Sequence, residues 1–319
     1  MSTAINRRLS PFWLGIGLFI ALILVVIISL LSGYLPFTTS EIIEIIWSWL
    51  TDSQSAVDKG RVVALLEVRL PRLVTALLAG AALGLSGAVF QGLLLNPLAD
   101  PYTLGVSSGA AFGASLVIVG AMALPSASFI LALPLAPTVG AFVFSSLTLR
   151  LVIALASDSD KRLSPTSLIL SGVILSAILS AGISFIKYLA GDQVNSIIFW
   201  LLGSFQAKTW LDAGLVLVFL IPSLILSLAS ATDLNIMTLG FKSAETLGVN
   251  TSKVRLRLLA AASLAASASV AVSGIIGFVG LIVPHLIRLL TGPDHRSLIP
   301  LSTLGGAVLL CAADTVVRA

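Results

Sequence analysis

Residues 69–113 read RLPRLVTALLAGAALGLSGAVFQGLLLNPLADPYTLGVSSGAAFG. After Arg72 the chain carries no charged side chain until Asp100. A helix of about 25 residues, rising ~1.5 Å per residue, is long enough to cross a hydrocarbon layer of about 30 Å. The segment therefore predicts a membrane-spanning helix around which the other segments pack.

Small residues recur at every fourth position of this helix. Ala76, Gly80, Gly84 and Ala88 consequently share one helical face. Small side chains allow the backbones of two helices to approach closely inside a membrane. This face is predicted to pack against another helix.

Proline-containing polar segments interrupt the chain at two predicted membrane edges. Each proline lacks a backbone N–H and restricts the residue before it, so a helix ends or begins there. We interpret both segments as candidate gates, although helix capping by Asn96 and Ser164 explains them equally well. The first segment contains Pro97, and the second contains Pro165. The candidate gate residues are Asn96, Pro97, Leu98, Ser164, Thr166 and Ser167.

The composition identifies a polytopic membrane protein. Hydrophobic residues make up 57% of the 319 residues, charged residues 10%, and the mean hydropathy is +1.09. Soluble domains carry about 25% charged residues. At about 20 residues per span plus loops, the length predicts an all-α bundle of nine to ten spans in a single domain over residues 1–319. The net charge of +4 is scattered rather than clustered, which argues against a nucleic-acid partner.

Charge-poor segments predict nine individual spans. They cover residues 12–33, 70–95, 103–124, 129–156, 165–190, 211–231, 254–275, 276–291 and 298–318. The first span follows Arg7 and Arg8, but it is longer than a signal-peptide core and no Ala-x-Ala-like cleavage site follows it. We therefore expect it to be retained as a membrane span.

The seventh and eighth spans come from one apolar stretch. Residues 258–287 are uncharged except for His285, too long for one crossing and short for two. We expect a break into a full span and a shortened one. Broken helices are tolerated where protein or a water-filled cavity meets the freed backbone groups, so the break should face the bundle interior. The residues that favour the break are Gly274, Gly277, Gly280 and Pro284.

The distribution of Lys and Arg predicts a cytoplasmic N-terminus. The inner side then collects Arg7, Arg8, Arg150, Lys161, Arg162, Lys242, Lys253, Arg255, Arg257, Arg288 and Arg296. The outer side collects Lys59, Arg61, Arg69, Arg72, Lys187, Lys208 and Arg318. The excess on the inner side agrees with the positive-inside rule. Arg61, Arg69 and Arg72 are exceptions to this rule because they lie close together on the outer side. Their position indicates a negatively charged partner outside.

Several strings, in order, resemble a known family. RLPR, GAALGLSGAVFQGLLLNPLADP, LGVSSGA, GFVGLIVPHLIRLL and DHR resemble the signature of the FecCD-type permeases. These are the membrane subunits of bacterial ABC importers for iron–siderophore, haem and cobalamin. The resemblance covers most of the chain.

This resemblance implies a type II ABC importer permease fold in the bacterial inner membrane. It also implies ATP-binding cassette ATPase subunits that bind ATP, a periplasmic substrate-binding protein, a second permease subunit in a homodimer or a pseudo-symmetric dimer, and membrane lipid as partners. In the family a further span follows the last one found here. We therefore expect this sequence to lack a final C-terminal span.

The segment between the sixth and seventh spans is the candidate coupling element. It is the longest predicted cytoplasmic insertion, and Ser243 to Leu247 can form a short helix closed by Gly248 in the left-handed conformation. The resemblance implies a coupling helix that enters a cleft on an ATPase subunit; a loop packed on its own bundle is the alternative. The candidate residues are Leu239, Gly240, Ala244, Glu245, Leu247 and Gly248.

Arg69, Arg72 and Arg318 share the outer face in this topology. Their guanidinium groups present paired donors that suit carboxylates. The resemblance implies that such arginines receive glutamates from the two lobes of a periplasmic binding protein. Snorkelling to lipid headgroups is the alternative.

No motif predicts catalysis, a metal site or a cofactor bound by this chain. The sequence has no G-x-x-x-x-G-K-[ST] phosphate loop and no Ser/His/Asp or HExxH arrangement. We expect His285 and the single cysteine, Cys311, to be packing residues, and His295 to lie in an ordinary loop beside Asp294. An ion-coupled secondary transporter or channel is the alternative function, since Asp314 lies at membrane depth. ATP drive through a second subunit is favoured because one aspartate is little support for ion coupling.

Overall fold

The computed structural model describes residues 9–33, 35–51, 57–123, 135–157, 163–191 and 194–318, with only the backbone at Phe241. Within these ranges the regular secondary structure is helical, apart from an isolated β-bridge between Ser157 and Leu163. The all-α prediction is confirmed.

We label the helices in chain order. They are α1 (Pro11–Leu31), α2 (Thr39–Thr51), α3 (Lys59–Leu93), α4 (Val106–Ala123), α5 (Ala136–Ala156), α6 (Pro165–Ala190), α7 (Val194–Leu202), α8 (Trp210–Ala229), α9 (Ala231–Met237), α10 (Phe241–Thr246), α11 (Thr251–Ser273), α12 (Val279–Thr291) and α13 (His295–Arg318). Within α3, residues Ala64–Arg69 form a π-helical turn. A 3₁₀ turn, Pro101–Leu104, precedes α4.

Seven of these helices are long and apolar enough to cross a membrane. They are α1, α3, α5, α6, α8, α11 and α13. Two shorter apolar helices, Val106–Ala121 within α4 and α12, fall in the other two predicted segments. The bundle of nine to ten spans is therefore not confirmed. Residues 129–134 of one predicted span lie outside the described residues, as do Arg7, Arg8, Lys161 and Arg162.

Helix α3 lies at the centre of the bundle. The four small residues of its predicted packing face, Ala76, Gly80, Gly84 and Ala88, are all buried. A Cβ atom at Gly80 would collide with the carbonyl of Gly306 in α13, and one at Gly84 with the carbonyl of Ser302. Glycine therefore allows the backbones of α3 and α13 to touch.

Helices α3 and α13 run antiparallel, and α1 lies alongside α13. The Leu9 N–H donates to the carbonyl of Leu290 at one end, and the Arg69 guanidinium donates to the carbonyl of Leu30 at the other. A Cβ at Gly92 would meet the imidazole of His295. We call the two ends of the bundle the His295 end and the Arg69 end.

The predicted break between the seventh and eighth segments is confirmed. Helix α11 ends at Ser273, Gly274 has φ +73°, and α12 begins at Val279. Three other groups donate to carbonyls at or beside the break: the Ser204 N–H to Ser273 at 2.7 Å, the Tyr102 hydroxyl to Ile276, and the Gln91 amide to Leu281, in the first turn of α12, at 3.1 Å. The break thus packs against the bundle on this side, as predicted, whereas Phe278 is exposed on the other.

Pro284 does not break the chain, so that part of the prediction is wrong. It lies inside α12, where its missing N–H leaves the carbonyl of Gly280 without its helical donor. A Cβ at Gly87 of α3 would collide with this carbonyl. The glycines at 87 and 280 therefore let the short helix pack directly on the central one.

We predict that Gly84→Leu disrupts the contact between α3 and α13. Overpacking costs about 1–3 kcal/mol in well-packed interiors, and here the obstacle is backbone that cannot rotate away. Thermal unfolding in detergent can be followed by labelling Cys311, the single cysteine, which is buried. Gly17→Leu is the matched control, because nothing lies within 4 Å of a Cβ at Gly17. Equal midpoints for the two variants would contradict the prediction.

Candidate functional sites at the two ends of the bundle

Asp314 organises the Arg69 end by binding two arginines. Arg72 at the start of the buried part of α3 makes a bidentate contact with it, from Nε to Oδ2 at 3.0 Å and from Nη2 to Oδ1 at 2.7 Å. Arg318 lies one turn after Asp314 on α13 and reaches Oδ2 with Nε at 3.0 Å. Since Asp314 is buried, this triad joins the ends of α3 and α13.

Arg69 is buried and turned toward the protein. Its Nη1 donates to the carbonyl of Leu30 at 2.5 Å, and its Nη2 donates to the carbonyl of Leu35 at 2.7 Å. The guanidinium carbon lies 4.8 Å from the centre of the Phe37 ring. Arg69 therefore ties the end of α1 to α3, and little of it faces an external partner.

The three predicted docking arginines line one cavity of about 270 Å³. One carboxylate, Asp314, balances three guanidinium groups, so the cavity is positively charged. The Nη1 groups of Arg72 and Arg318 donate to none of the described residues. These edges are available to an anionic group. The other lining residues are Gly33, Leu35, Phe37, Ala64 and Val68.

The sequence did not predict that Asp314 pairs with two of these arginines. The i, i+4 spacing of Asp314 and Arg318 was the available signal, because such residues share a helical face. The pairing with Arg72 could not be read from the sequence, since it joins positions 242 residues apart. Docking by Arg69, Arg72 and Arg318 stays a prediction.

The His295 end carries the candidate coupling element. Helix α10 spans Phe241–Thr246, close to the predicted helix, and Gly248 has φ +86°. Gly240 precedes the helix with φ +108°. Ala244 is buried, while Leu239 and Leu247 are 69% and 63% exposed. The segment therefore presents two leucines to its surroundings rather than packing them on the bundle.

Glu245 holds this element on α11. Its Oε1 accepts a hydrogen bond from the hydroxyl of Thr251 at 2.8 Å. A surface cavity of about 360 Å³ lies beside this bond and is lined by residues from Glu245 to Ser252, among them Gly248. Met237 is buried on the other flank of the segment. Glu245 in α10 is thus tied to the first residue of the spanning helix α11.

His295 does not lie in an ordinary loop, so that interpretation is wrong. It is buried, and Asn235 Oδ1 accepts its backbone N–H at 2.9 Å and lies 2.7 Å from its Nδ1. The Asn235 amide donates to Asp294 Oδ1 at 2.7 Å. Burial opposes ionisation of Asp294, but hydrogen bonds from the Arg296 backbone and Asn235 keep the pKa of this carboxyl below its usual range. The start of α13 is thereby fixed to α9.

Of the candidate gate residues, Ser164 caps a helix and Asn96 closes a turn. Leu95 has φ +50° after the end of α3, and Asn96 Oδ1 accepts from the Leu98 N–H at 2.9 Å. Ser164 Oγ accepts from the Ser167 N–H at 3.0 Å at the start of α6. No hydrogen bond between described residues joins the two segments. The geometry supports helix capping by Ser164 but not by Asn96, and the gate stays a prediction; Leu98, Pro97 and Thr166 are exposed.

The described residues contain no cluster of three or more His, Cys, Asp or Glu that could hold a metal ion. The Arg69 end presents a cavity lined by three arginines, and the His295 end presents two exposed leucines.

Comparison with known proteins agrees with this geometry. The profile of the FecCD transport family matches residues 21–319. The chain belongs to the FecCD transport family. This FecCD permease is 41% identical over 254 residues to the hemin transport system permease HmuU of Yersinia pestis, covering 79% of this chain and 74% of the relative. It is 39% identical over 292 residues to the cobalamin import permease BtuC of Halobacterium salinarum, and the match covers 92% of this chain and 75% of the relative.

A solved structure shares the fold. It is described as an inward-facing conformation of a metal-chelate type ABC transporter, and it superposes on this FecCD permease with a TM-score of 0.80 and 34% identity. The match covers 97% of this chain and 91% of the other. The protein is a multi-pass membrane permease subunit of the ABC-importer type.

We predict that Asp314→Ala destabilises this FecCD permease. Removing the carboxylate leaves two largely buried guanidinium groups without a counter-ion, which costs roughly 3 kcal/mol of unfolding free energy. Arg296→Ala is the control, because it breaks an exposed ion pair worth less than about 1 kcal/mol. Loss of helical circular dichroism on heating in detergent measures both. A midpoint for Asp314→Ala as high as that of the control would refute the structural role of the triad.

Proposed function

We propose that this permease carries a metal chelate or a cobalamin across the bacterial inner membrane, between a binding protein at the Arg69 end and ATPase subunits at the His295 end. The observation that carries the proposal is the separation of the two surfaces: a cationic cavity at one end and an exposed apolar coupling element at the other. Helices α3 and α13 run from one end to the other and connect them.

The substrate class rests on the relatives and the structural neighbour. The names of two relatives specify hemin and cobalamin, and the solved neighbour is of the metal-chelate type. We place iron chelates first, with haem and cobalamin next. Discrimination among these ligands would come from the binding protein that delivers them.

The assembly is proposed to be a homodimer with the N-terminus in the cytoplasm. Helix α6 has few buried residues in the single chain, and its surface is rich in exposed aliphatic side chains that a second copy or lipid would cover. Among the described Lys and Arg residues, Lys242, Lys253, Arg257 and Arg288 lie at or near the His295 end, which favours that end as cytoplasmic.

An ion-coupled carrier is less well supported. Such carriers place ionisable groups at membrane depth, where they titrate during the cycle. Asp314 was the candidate, and it is bound to Arg72 and Arg318 at 2.7 and 3.0 Å. A carboxylate held by two cations at the end of α13 is better suited to fixing helices than to carrying an ion.

We predict that Arg72→Gln weakens binding-protein association about tenfold and reduces its dependence on salt, since one guanidinium fewer would attract the carboxylates of the partner. Arg72→Lys should be intermediate, because lysine keeps the charge and loses the paired donors. Surface plasmon resonance on the nanodisc-embedded importer measures both, with Arg296→Gln at the opposite end as control. Unchanged affinity of Arg72→Gln at every salt concentration would exclude this docking site.

We predict that Leu247→Asp abolishes ATPase recruitment, because it places a charge on the exposed apolar surface of the coupling element. Co-purification of the ATPase and ATP-dependent uptake into proteoliposomes are the measurements. Thr232→Asp adds the same charge to an exposed polar position of α9 outside residues 237–248 and serves as control. Recruitment and uptake equal to those of the control would rule out a coupling role for residues 237–248.

A further inference from the structure

Helix α2 is not one of the spanning helices, and Ile43, Trp47 and Leu50 on its outer side are exposed in the described part of the chain. We propose that α2 is an interfacial anchor, which lies in the headgroup layer of the leaflet at the Arg69 end and inserts Ile43, Trp47 and Leu50 into lipid.

One side of α2 packs on the protein. Ile42, Ile45 and Ser48 are buried, and Ile42 and Ile45 belong to a small apolar cluster with Phe37 and Leu65. Phe37 lies in the connection from α1, and Leu65 lies in the π-helical turn of α3. Helix α2 is therefore held against the ends of two spanning helices.

A second side is apolar and exposed. Ile43, Trp47 and Leu50 follow the spacing i, i+4, i+7, so they form one stripe, and each is more than 60% exposed. Trp49, near the end of the helix, is 64% exposed. Exposed apolar stripes of this kind on a short helix mark a contact with lipid or protein.

The third side is polar and lies between the stripe and the protein-facing side, with the exposed Glu44 near its centre and Glu41 at its inner edge. Glu41 accepts from the Thr38 backbone N–H at 2.8 Å and pairs with Arg61 at 2.9 Å. The Thr38 hydrogen bonds, followed by attraction to Arg61, hold the pKa of Glu41 below its usual value. A carboxylate that stays ionised keeps this side in water. The helix thus has one protein-facing, one apolar and one water-facing side.

Tryptophans place α2 at the membrane surface. The indole of Trp210, at the start of α8, donates to the carbonyl of Leu66 at 3.1 Å, one residue from the Leu65 contact of α2. Trp13 lies near the start of α1, at the other end of the bundle. Tryptophan is enriched at both membrane interfaces, where its ring meets acyl chains and its N–H meets water. Trp47 and Trp210 mark the interface at the Arg69 end.

Lipid fits the apolar stripe better than a protein partner. Stable protein interfaces bury about 800 Å² per partner, more than three or four side chains of one short helix supply. The stripe also carries no charge that would orient a partner. Helix α1, which precedes α2 in the chain, also has exposed aliphatic side chains: Ser29 is its one buried residue, and Ile23, Leu24, Ile27 and Ile28 are each more than 40% exposed. Lipid can cover both surfaces.

Anchoring has a consequence for the Arg69 cavity. Residues 32–38 connect α1 to α2, and Gly33, Leu35 and Phe37 in this connection line the cavity. The carbonyl of Leu35 binds Arg69. An α2 fixed in the headgroup layer holds this wall of the cavity at a constant height above the membrane.

Quenching of tryptophan fluorescence by brominated phospholipids tests the proposal. The full chain in nanodiscs would keep Trp47 as its single tryptophan, with phenylalanine at positions 13, 49, 200 and 210. Two controls start from the same background with Phe at 47: Ile23→Trp in the middle of α1 and Glu44→Trp on the exposed polar side of α2. Labelling of buried Cys311 on heating verifies that each variant is folded.

We expect shallow bromines, near the ester groups, to quench Trp47 at least twofold more than deep bromines. Ile23→Trp should show the reverse, and Glu44→Trp should respond to aqueous acrylamide instead. Trp47 emission that ignores brominated lipid and follows acrylamide as Glu44→Trp does would overturn the proposal. The proposal would also be overturned if Trp47 became protected from acrylamide only after the binding protein was added.

Discussion

The contact between the backbones of α3 and α13 is the constraint on which the rest of the structure depends. Lipid is as apolar as a leucine side chain, so helices in a membrane gain little from burying apolar surface and associate by close packing. Gly80 and Gly84 allow this approach because a side chain at either position would meet the carbonyl of Gly306 or Ser302. The same alignment brings Arg72 to Asp314 at one end and Gly92 to His295 at the other. Two distant surfaces are thereby built on one rigid pair of helices.

A second constraint is that every backbone polar group inside a membrane needs a partner. The chain meets it where α11 gives way to α12: the Tyr102 hydroxyl donates to the carbonyl of Ile276 between the two helices, and the Gln91 amide donates to the carbonyl of Leu281 in the first turn of α12. Gln91 lies on α3 and Tyr102 in the 3₁₀ turn between α3 and α4, so both support the break. A discontinuity of this kind can change its hydrogen bonds without unfolding, which suits a subunit that alternates between two states.

The chemistry of the two ends fits a permease that is moved by its partners. The Arg69 end offers guanidinium edges around a cavity, oriented by Asp314 and bordered by the connection from α1 to α2. The His295 end offers Leu239 and Leu247 on a short element tied to α11 through Glu245 and Thr251. Under the proposed function, α3 and α13 connect the two ends.

Local patterns in the sequence were sufficient to predict the helical class, the small-residue face of α3, the break after Ser273 and the short helix beside Gly248. These depend on hydropathy, on residue spacing and on the backbone preferences of glycine and proline, which act over a few residues. Pro284 was misjudged because packing against Gly87 stabilises a helix that proline alone disfavours. The exposed stripe of α2 and the bonds of His295 and Asp314 were not predicted. They depend on residues far apart in the chain, such as Arg72 and Asp314, and only the tertiary structure brings these together, because no local preference encodes which helix lies beside which.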